Sequence, residues 1–377
     1  MVEASRTSEA IVIGGGAAGI GAAGALGEQG IKAVVLERGW RVGGSWPDRY
    51  RGLRLNTARS LSHQPGKRIP RAAGRWVRRE EFVRYLAMLV SEAALDVRLG
   101  MEVVRLERAD GGWTVETTCG DFAAAVVVVA TGYDRVPHVP AWPGREGFEG
   151  ELLHSSAYRD AAQHAGSDAL VIGPGNSGTE IATQLATAGA RRVRLAVRTP
   201  PNLMPPTTLG VPATWLARAS ESAPTELVDA GSRLLHRAVF GDLTSLGIPR
   251  APLGIASEHR KRGMGPVLDR GFVAALKRGA IEIVPAVSGF DGAAVELSDG
   301  STIEPDLVIA ATGFRHGLEP LAGHLGVLDE RGRPLVRDGH ADQNAPGLFF
   351  NGFWFPLSGQ LPGMRRSSRR IAALVAQ

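Results

Sequence analysis

A duplicated strand–glycine loop–helix unit constrains the fold of this chain more than any other feature. Gly14-Gly15-Gly16-Ala17-Ala18-Gly19 follows the apolar run Ala10-Ile11-Val12-Ile13, and Gly173-Pro174-Gly175-Asn176-Ser177-Gly178 follows Ala169-Leu170-Val171-Ile172. Both loops match G-x-G-x-x-G. A short apolar run that meets glycines at once reads as a buried parallel strand. The small-residue stretches after the loops read as helices, to about Gln29 and over Thr179 to Ala188, each closed by a glycine, Gly30 and Gly189. The spacing has a mechanical reason. The first glycine (Gly14, Gly173) permits a tight turn, and the second (Gly16, Gly175) lets a pyrophosphate reach the backbone. The third (Gly19, Gly178) lets helix and strand pack closely. Unpaired N–H groups at the helix start then face an anion.

The two units differ at the end of their second strands. Lys32 to Leu36 ends in Glu37, about 20 residues beyond the first loop, where an acid accepts from ribose hydroxyls. Val193 to Val197 ends instead in Arg198. An acid there would repel a 2′-phosphate, whereas an arginine pairs with it. The first unit therefore suits an unphosphorylated ribose, as in FAD, and the second suits NADPH. The competing reading of Arg198 is a surface arginine beside Arg191, Arg192 and Arg194. Two dinucleotides in one chain imply a relay in which hydride passes from nicotinamide to flavin.

The second unit lies inside the chain, and two Ala-Thr-Gly junctions mark crossovers: Ala130-Thr131-Gly132 after an apolar strand, and Ala311-Thr312-Gly313 after another. The expected fold is α/β, with two dinucleotide-binding Rossmann-like domains and the NADPH domain inserted into the FAD domain. The expected boundaries are 1–160 and 305–377 for FAD and 161–304 for NADPH. A helical insertion is expected at about 200–257, proline-rich at first and then helical in pattern from Trp215 to Ala238.

Composition removes several alternatives. Cys119 is the only cysteine, so neither an internal disulfide nor a dithiol reductase is available. The net charge of +5 comes mostly from arginine, which suits phosphate-bearing ligands. It is too small and too dispersed for nucleic acid, and the dense stretches Arg75 to Arg84 and Arg365 to Arg370 read as solvated helix faces. No run reaches the ~18 apolar residues of a membrane span. The polar start, Met1 to Ala10, lacks the apolar stretch of a signal peptide, so a cytoplasmic location is expected. No His/Cys/Asp/Glu spacing suits a metal, and no G-x-S-x-G elbow or Walker lysine is present.

A resemblance enters with Phe148-Glu149-Gly150-Glu151-Leu152-Leu153-His154-Ser155-Ser156-Ala157-Tyr158. It matches F-x-G-x-x-x-H-x-x-x-Y, and the chain resembles a class B flavoprotein monooxygenase of the flavin-containing monooxygenase type. The Baeyer–Villiger branch carries tryptophan where Tyr158 stands. Gly43-Gly44-Ser45-Trp46 resembles the family's flavin loop, Leu53 to Thr57 the segment that sets an asparagine beside the flavin, and Arg75 to Leu86 its F-x-x-Y-L helix. Gly265 to Gly271 resembles the T-P-V-L-D-x-G of plant auxin-synthesis monooxygenases of the YUCCA type; Phe240-Gly241-Asp242 and Leu246-Gly247 fit the same subgroup. Pro346 to Phe350 and Gly359 to Ala376 resemble the family's return to the FAD domain. Pro174 and Asn351 depart from the pattern, the second at a position often apolar.

The resemblance implies that NADPH reduces FAD and that reduced flavin and O2 form a C4a-(hydro)peroxide that oxygenates a small substrate. It places Ala18, Arg38, Gly44, Ser45, Trp46 and Val103 at FAD with the first loop and Glu37. Ala130, Thr131, Gly132, Gln360 and Leu361 join them. Asn176, Ser177 and Thr312 join the second loop and Arg198 at NADPH. Asn56 is the catalytic candidate beside the peroxide, with an Asx-turn as the alternative. Asn176 faces the nicotinamide or is only a polar helix start. His154 reads as a linker residue rather than an acid or base. Three activities stay open: N- or S-oxygenation of a small organic molecule, oxidative decarboxylation of an aryl 2-oxo acid, and NADPH oxidase or flavin reductase action. Similar proteins are commonly homodimers.

Overall fold

The central strand of the first unit, Arg6–Ile13, is flanked by two parallel neighbours, Ala33–Glu37 and Phe122–Val129. The structure is a computed structural model, and residues 6–377 are described. The strand residues Ala10, Ile11, Val12, Val35, Val127 and Val128 have no exposed surface, as expected of a parallel sheet covered on both faces. Asp96–Leu99 extends the sheet beyond Ala33–Glu37. The far edge of Phe122–Val129 is shared. Its first half pairs with the antiparallel strand Gly112–Thr117, and its second half pairs in parallel with Leu348–Phe350 from near the chain's end. Gly347, at φ +81°, makes the handover, because a Cβ there would overlap the Ala125 carbonyl oxygen.

The helix after the first loop, Ala17–Glu28, contains Gly19, Gly21, Gly24 and Gly27. Each interior glycine costs about 1 kcal/mol relative to alanine, so the helix depends on packing. Its buried small residues, among them Ala18, Ala22 and Ala25, let the C-terminal helix Gln360–Val375 lie against it. Helix Arg79–Glu92 completes this side through Phe82, Tyr85, Leu86 and Leu89.

The second unit repeats the plan. Its five-stranded parallel sheet runs Glu282–Val284, Arg192–Ala196, Asp168–Ile172, Leu307–Ala310, Glu151–His154. The first four strands stand in the order of their counterparts in the first sheet. Helix Asn176–Thr187 follows the loop. A three-stranded antiparallel meander, with strands Val287–Asp291, Ala294–Leu297 and Thr302–Ile303, covers one face through Phe290, Val295 and Leu297.

The chain divides at Val136/Pro137 and Gly313/Phe314, whereas the sequence reading sets 160/161 and 304/305. The difference is the segment carrying Glu151–His154, which pairs with Leu307–Ala310 inside the second sheet. The single helical pattern expected from Trp215 to Ala238 is two helices, Ala213–Ala219 and Thr225–Phe240. Pro224 immediately precedes the second helix and biases Ala223 away from helical geometry. Buried Asp229 then ties this helix to the next, Ile255–Arg262, by accepting from the backbone N–H of Ala256 at 2.7 Å.

Candidate functional site

The two glycine loops have the same geometry. Gly14 and Gly173 both sit at φ +109°. A Cβ on Gly14 would lie 2.6 Å from the Ala130 carbonyl oxygen, and one on Gly173 would lie 2.6 Å from that of Ala311. A Cβ on Gly19 would overlap the Gly14 carbonyl oxygen, and one on Gly178 that of Gly173. Gly16 and Gly175 differ from these, since a Cβ on either would meet nothing within 4 Å. Their bareness serves the open space beside them rather than packing. Both are helix N-caps with extended backbone and no side-chain cap, and neither helix has an acid in its first turn. The helix-start N–H groups and the positive dipole end are left for an anion. A pyrophosphate fits both cradles.

Around the first loop, Glu37 is buried, and its two carboxylate oxygens accept from the N–H of Gly15 at 2.6 Å and of Gly39 at 2.7 Å. A carboxylate offers about four acceptor sites, so capacity remains for ribose hydroxyls. Gly43 donates to the Gly15 carbonyl at 2.9 Å, which lays the Gly43–Trp46 turn on the loop. A Cβ on Gly44 would come 3.1 Å from the Gly16 Cα. Trp46, next to Ser45, is held edge-on to Phe82 with centroids 4.8 Å apart. Ala130 donates its N–H to Ile13 at 2.9 Å, which brings Ala130-Thr131-Gly132 beside Gly14. The Thr131 hydroxyl is buried without a partner, as expected of a group that meets a ligand.

Asn56 lies where two chain segments are bridged. Leu55 N–H donates to Val77 at 2.9 Å, and Arg79 N–H donates to Leu53 at 3.0 Å. The next residue, Thr57, touches Gly359, where a Cβ would overlap the Thr57 methyl. The Asn56–Thr57 turn is therefore joined to the start of the C-terminal helix, at Gln360 and Leu361. Arg38 is exposed at the end of its strand. Val103 is buried two residues beyond Met101, whose N–H donates to the Glu37 carbonyl at 2.9 Å.

Asn351 gains a role that the sequence reading did not give it. Its amide donates to the Ala18 carbonyl and to the Ser368 hydroxyl, both at 2.9 Å, with the residue wholly buried. It clamps the loop helix to the C-terminal helix. Ser368, a small polar residue within the C-terminal helix, is the available signal, because its hydroxyl accepts from the Asn351 amide.

Around the second loop, Thr312 donates to the His138 carbonyl, unlike its counterpart Thr131. Asn176 uses its amide on one segment, accepting from Leu268 N–H at 3.0 Å and donating to the Pro266 carbonyl at 3.4 Å. The side chain thereby fixes the Gly265–Gly271 segment to the helix start beside Ser177. Arg270 of the same segment pairs with buried Glu180 at 3.3 Å. Arg191, Arg192 and Arg194 are engaged with Asp306, Glu282 and Asp168. Arg198 is exposed at the strand end and has no salt bridge among the described residues. Of the four arginines it is the one whose guanidinium is not committed to a carboxylate among the described residues.

His154 is buried, and its Nδ1 accepts from Ser156 N–H at 3.1 Å. Nε2 therefore carries the proton and donates to the Gly313 carbonyl at 3.0 Å. Both ring nitrogens serve the junction. The Tyr158 phenol is pushed up by burial, then by Asp160, and donates to Gln184 at 3.3 Å. The F-x-G-x-x-x-H-x-x-x-Y segment is structural within the second unit. Among the described residues no cluster could hold a metal, and no helix is long and apolar enough to cross a membrane.

Two dinucleotide cradles in one chain define a flavin- and nicotinamide-dependent oxidoreductase, and residues 11–210 match the family described as pyridine nucleotide-disulphide oxidoreductase. Cys119 is the lone cysteine, so the disulphide chemistry in that description has no cysteine pair here. The chain is 32% identical over 367 residues to the indole-3-pyruvate monooxygenase YUCCA4 of Oryza sativa subsp. japonica, covering 91% of this chain and 82% of that one. A flavin monooxygenase from Stenotrophomonas maltophilia, solved as a mutant, superimposes with a TM-score of 0.77 at 25% identity, covering 98% of each chain. Cyclohexanone monooxygenase shares the fold, with a TM-score of 0.77 at 21% identity over 99% of this chain and 88% of that one. The chain belongs to the class B flavoprotein monooxygenases and is an FAD- and NADPH-dependent oxidoreductase.

Proposed function

We propose that this monooxygenase converts a small 2-oxo acid with an aromatic side chain by oxidative decarboxylation. The observation that carries this reading is the match to an indole-3-pyruvate monooxygenase over 91% of the chain. The anchored Gly265–Gly271 segment adds to it, being the part of the sequence that resembles that subgroup.

In this reading FAD lies on the first loop. Gly16 admits its pyrophosphate, Gly19 lets the helix start close on the loop, Glu37 accepts from its ribose, and the Thr131 hydroxyl gains the partner it lacks. Asn56 and the helix start at Gln360–Leu361 stand at the flavin end. NADPH lies on the second loop with its 2′-phosphate on Arg198. Bound flavin supplies hydride acceptance and O2 activation. The protein positions the rings and keeps water out, which limits wasteful peroxide release. A neutral amide at Asn56 donates a hydrogen bond without delivering a proton early.

With indole-3-pyruvate or phenylpyruvate, NADPH consumption should match CO2 and arylacetate formation, with little hydrogen peroxide. If amines or thioethers are oxygenated while the 2-oxo acids only uncouple NADPH oxidation, N- or S-oxygenation takes the place of this reading. Arg198→Ala should raise the Kd for NADPH about tenfold to a hundredfold, from loss of a charge-assisted contact, and leave NADH nearly unchanged. Equal weakening of both nucleotides would remove the 2′-phosphate role.

A further inference from the structure

Beyond Glu37 the first cradle continues into a surface that the loop motif does not define. Gly100 N–H donates to the Gly39 carbonyl at 3.0 Å, and Met101 N–H donates to that of Glu37 at 2.9 Å. The end of the ribose-binding strand is thereby tied to the turn before Val103. Trp40 lies over this turn. A Cβ on Gly100 would sit 2.6 Å from the Trp40 Cζ3 and 2.9 Å from Cη2, so the six-membered ring of the indole covers the Gly100 backbone. Gly100 has φ +69°, which a glycine adopts without strain, and no side chain intervenes. One face of the indole is supported in this way, and yet Trp40 is 85% exposed.

A singly exposed aromatic residue needs no explanation by itself. Position gives this one meaning. Glu37 is held by the N–H of Gly15 on the loop side and of Gly39 on the other. A ribose on Glu37 with its phosphate at the loop has its base directed to the opposite side, past Gly39 and toward Gly100 and Trp40. We propose that Trp40 is a wall of the adenine end of the FAD site, its open face stacking on the base and its other face braced by Gly100. This deepens the placement of FAD on the first loop and rests on it. Stacking suits the task because a purine presents a π-face and the indole is the largest such surface among the side chains.

The test uses the full chain stripped of flavin and titrated with FAD, ADP and FMN. Trp40→Ala should weaken FAD and ADP about tenfold, leave FMN unchanged, and be rescued to within about threefold by Trp40→Phe. FAD and ADP should also quench a component of the indole fluorescence that is missing in Trp40→Phe. Unchanged FAD and ADP affinity in Trp40→Ala overturns the proposal, and so does equal weakening of FAD and FMN. Glu37→Ala separates this failure from that of the underlying placement. If Glu37→Ala leaves FAD affinity intact, FAD does not lie on the first loop, and the role of Trp40 falls with it.

Discussion

Gly19→Ala should yield a colourless protein, without the visible absorbance of bound flavin, destabilised by about 3 kcal/mol or more. One methyl group is asked to do this much because of where it would go. It would overlap the carbonyl oxygen of Gly14, and neither backbone can withdraw. Gly14 is pinned from the other side by Ala130 and by its own N–H, which donates to Leu36 at 2.8 Å. Relief requires the helix Ala17–Glu28 to move off the strand, which also detaches it from the C-terminal helix. Gly16→Ala is the control. A methyl there meets nothing in the protein, so the fold should survive while FAD affinity drops. Thermal unfolding and flavin content, read together, separate the two variants. A stable, yellow Gly19→Ala protein would show that the loop does not have the geometry described.

The second large effect is expected at the base of the other sheet. Arg194 and Asp168, on adjacent strands, form an ion pair with both residues buried. Arg194→Met leaves the Asp168 carboxylate buried without its cation, and a broken buried pair costs about 3–5 kcal/mol. The double variant Arg194→Met/Asp168→Leu removes both charges and should recover most of that loss, because well-packed apolar residues replace such pairs at little cost. Chemical denaturation of the four proteins gives the coupling directly. A single variant within about 1 kcal/mol of the parent would mean that water already reaches the Asp168 carboxylate.

Much of the fold is legible in the sequence because its determinants are local. The two glycine loops, their strands and their helices can be read from spacing alone, since the first and last glycine of each loop answer to a nearby carbonyl and the middle one to open space. Glu37 is legible as the residue that ends its strand at a set distance from the first loop. What cannot be read depends on contacts between distant segments. Asn351 looks like a departure from a family pattern until Ala18 and Ser368 are seen on either side of it. Asn176 carries a polar amide at a helix start, but only the folded chain places Pro266 and Leu268 within its reach. The division at Val136 rather than 160 follows from a pairing between Glu151–His154 and Leu307–Ala310, more than 150 residues apart. Proline punctuation was the one local signal read too coarsely, at Pro224.

The second half of one edge of Phe122–Val129 is filled by Leu348–Phe350, and the loop helix leans on Gln360–Val375. Both partners follow the inserted unit, Pro137–Gly313, in the chain. During synthesis the inserted unit, Pro137–Gly313, emerges with every strand of its sheet in hand. The outer unit must wait with a half-open edge and an uncovered helix. Closure of the first glycine loop's sheet edge and helix face therefore depends on chain that lies beyond the whole inserted unit.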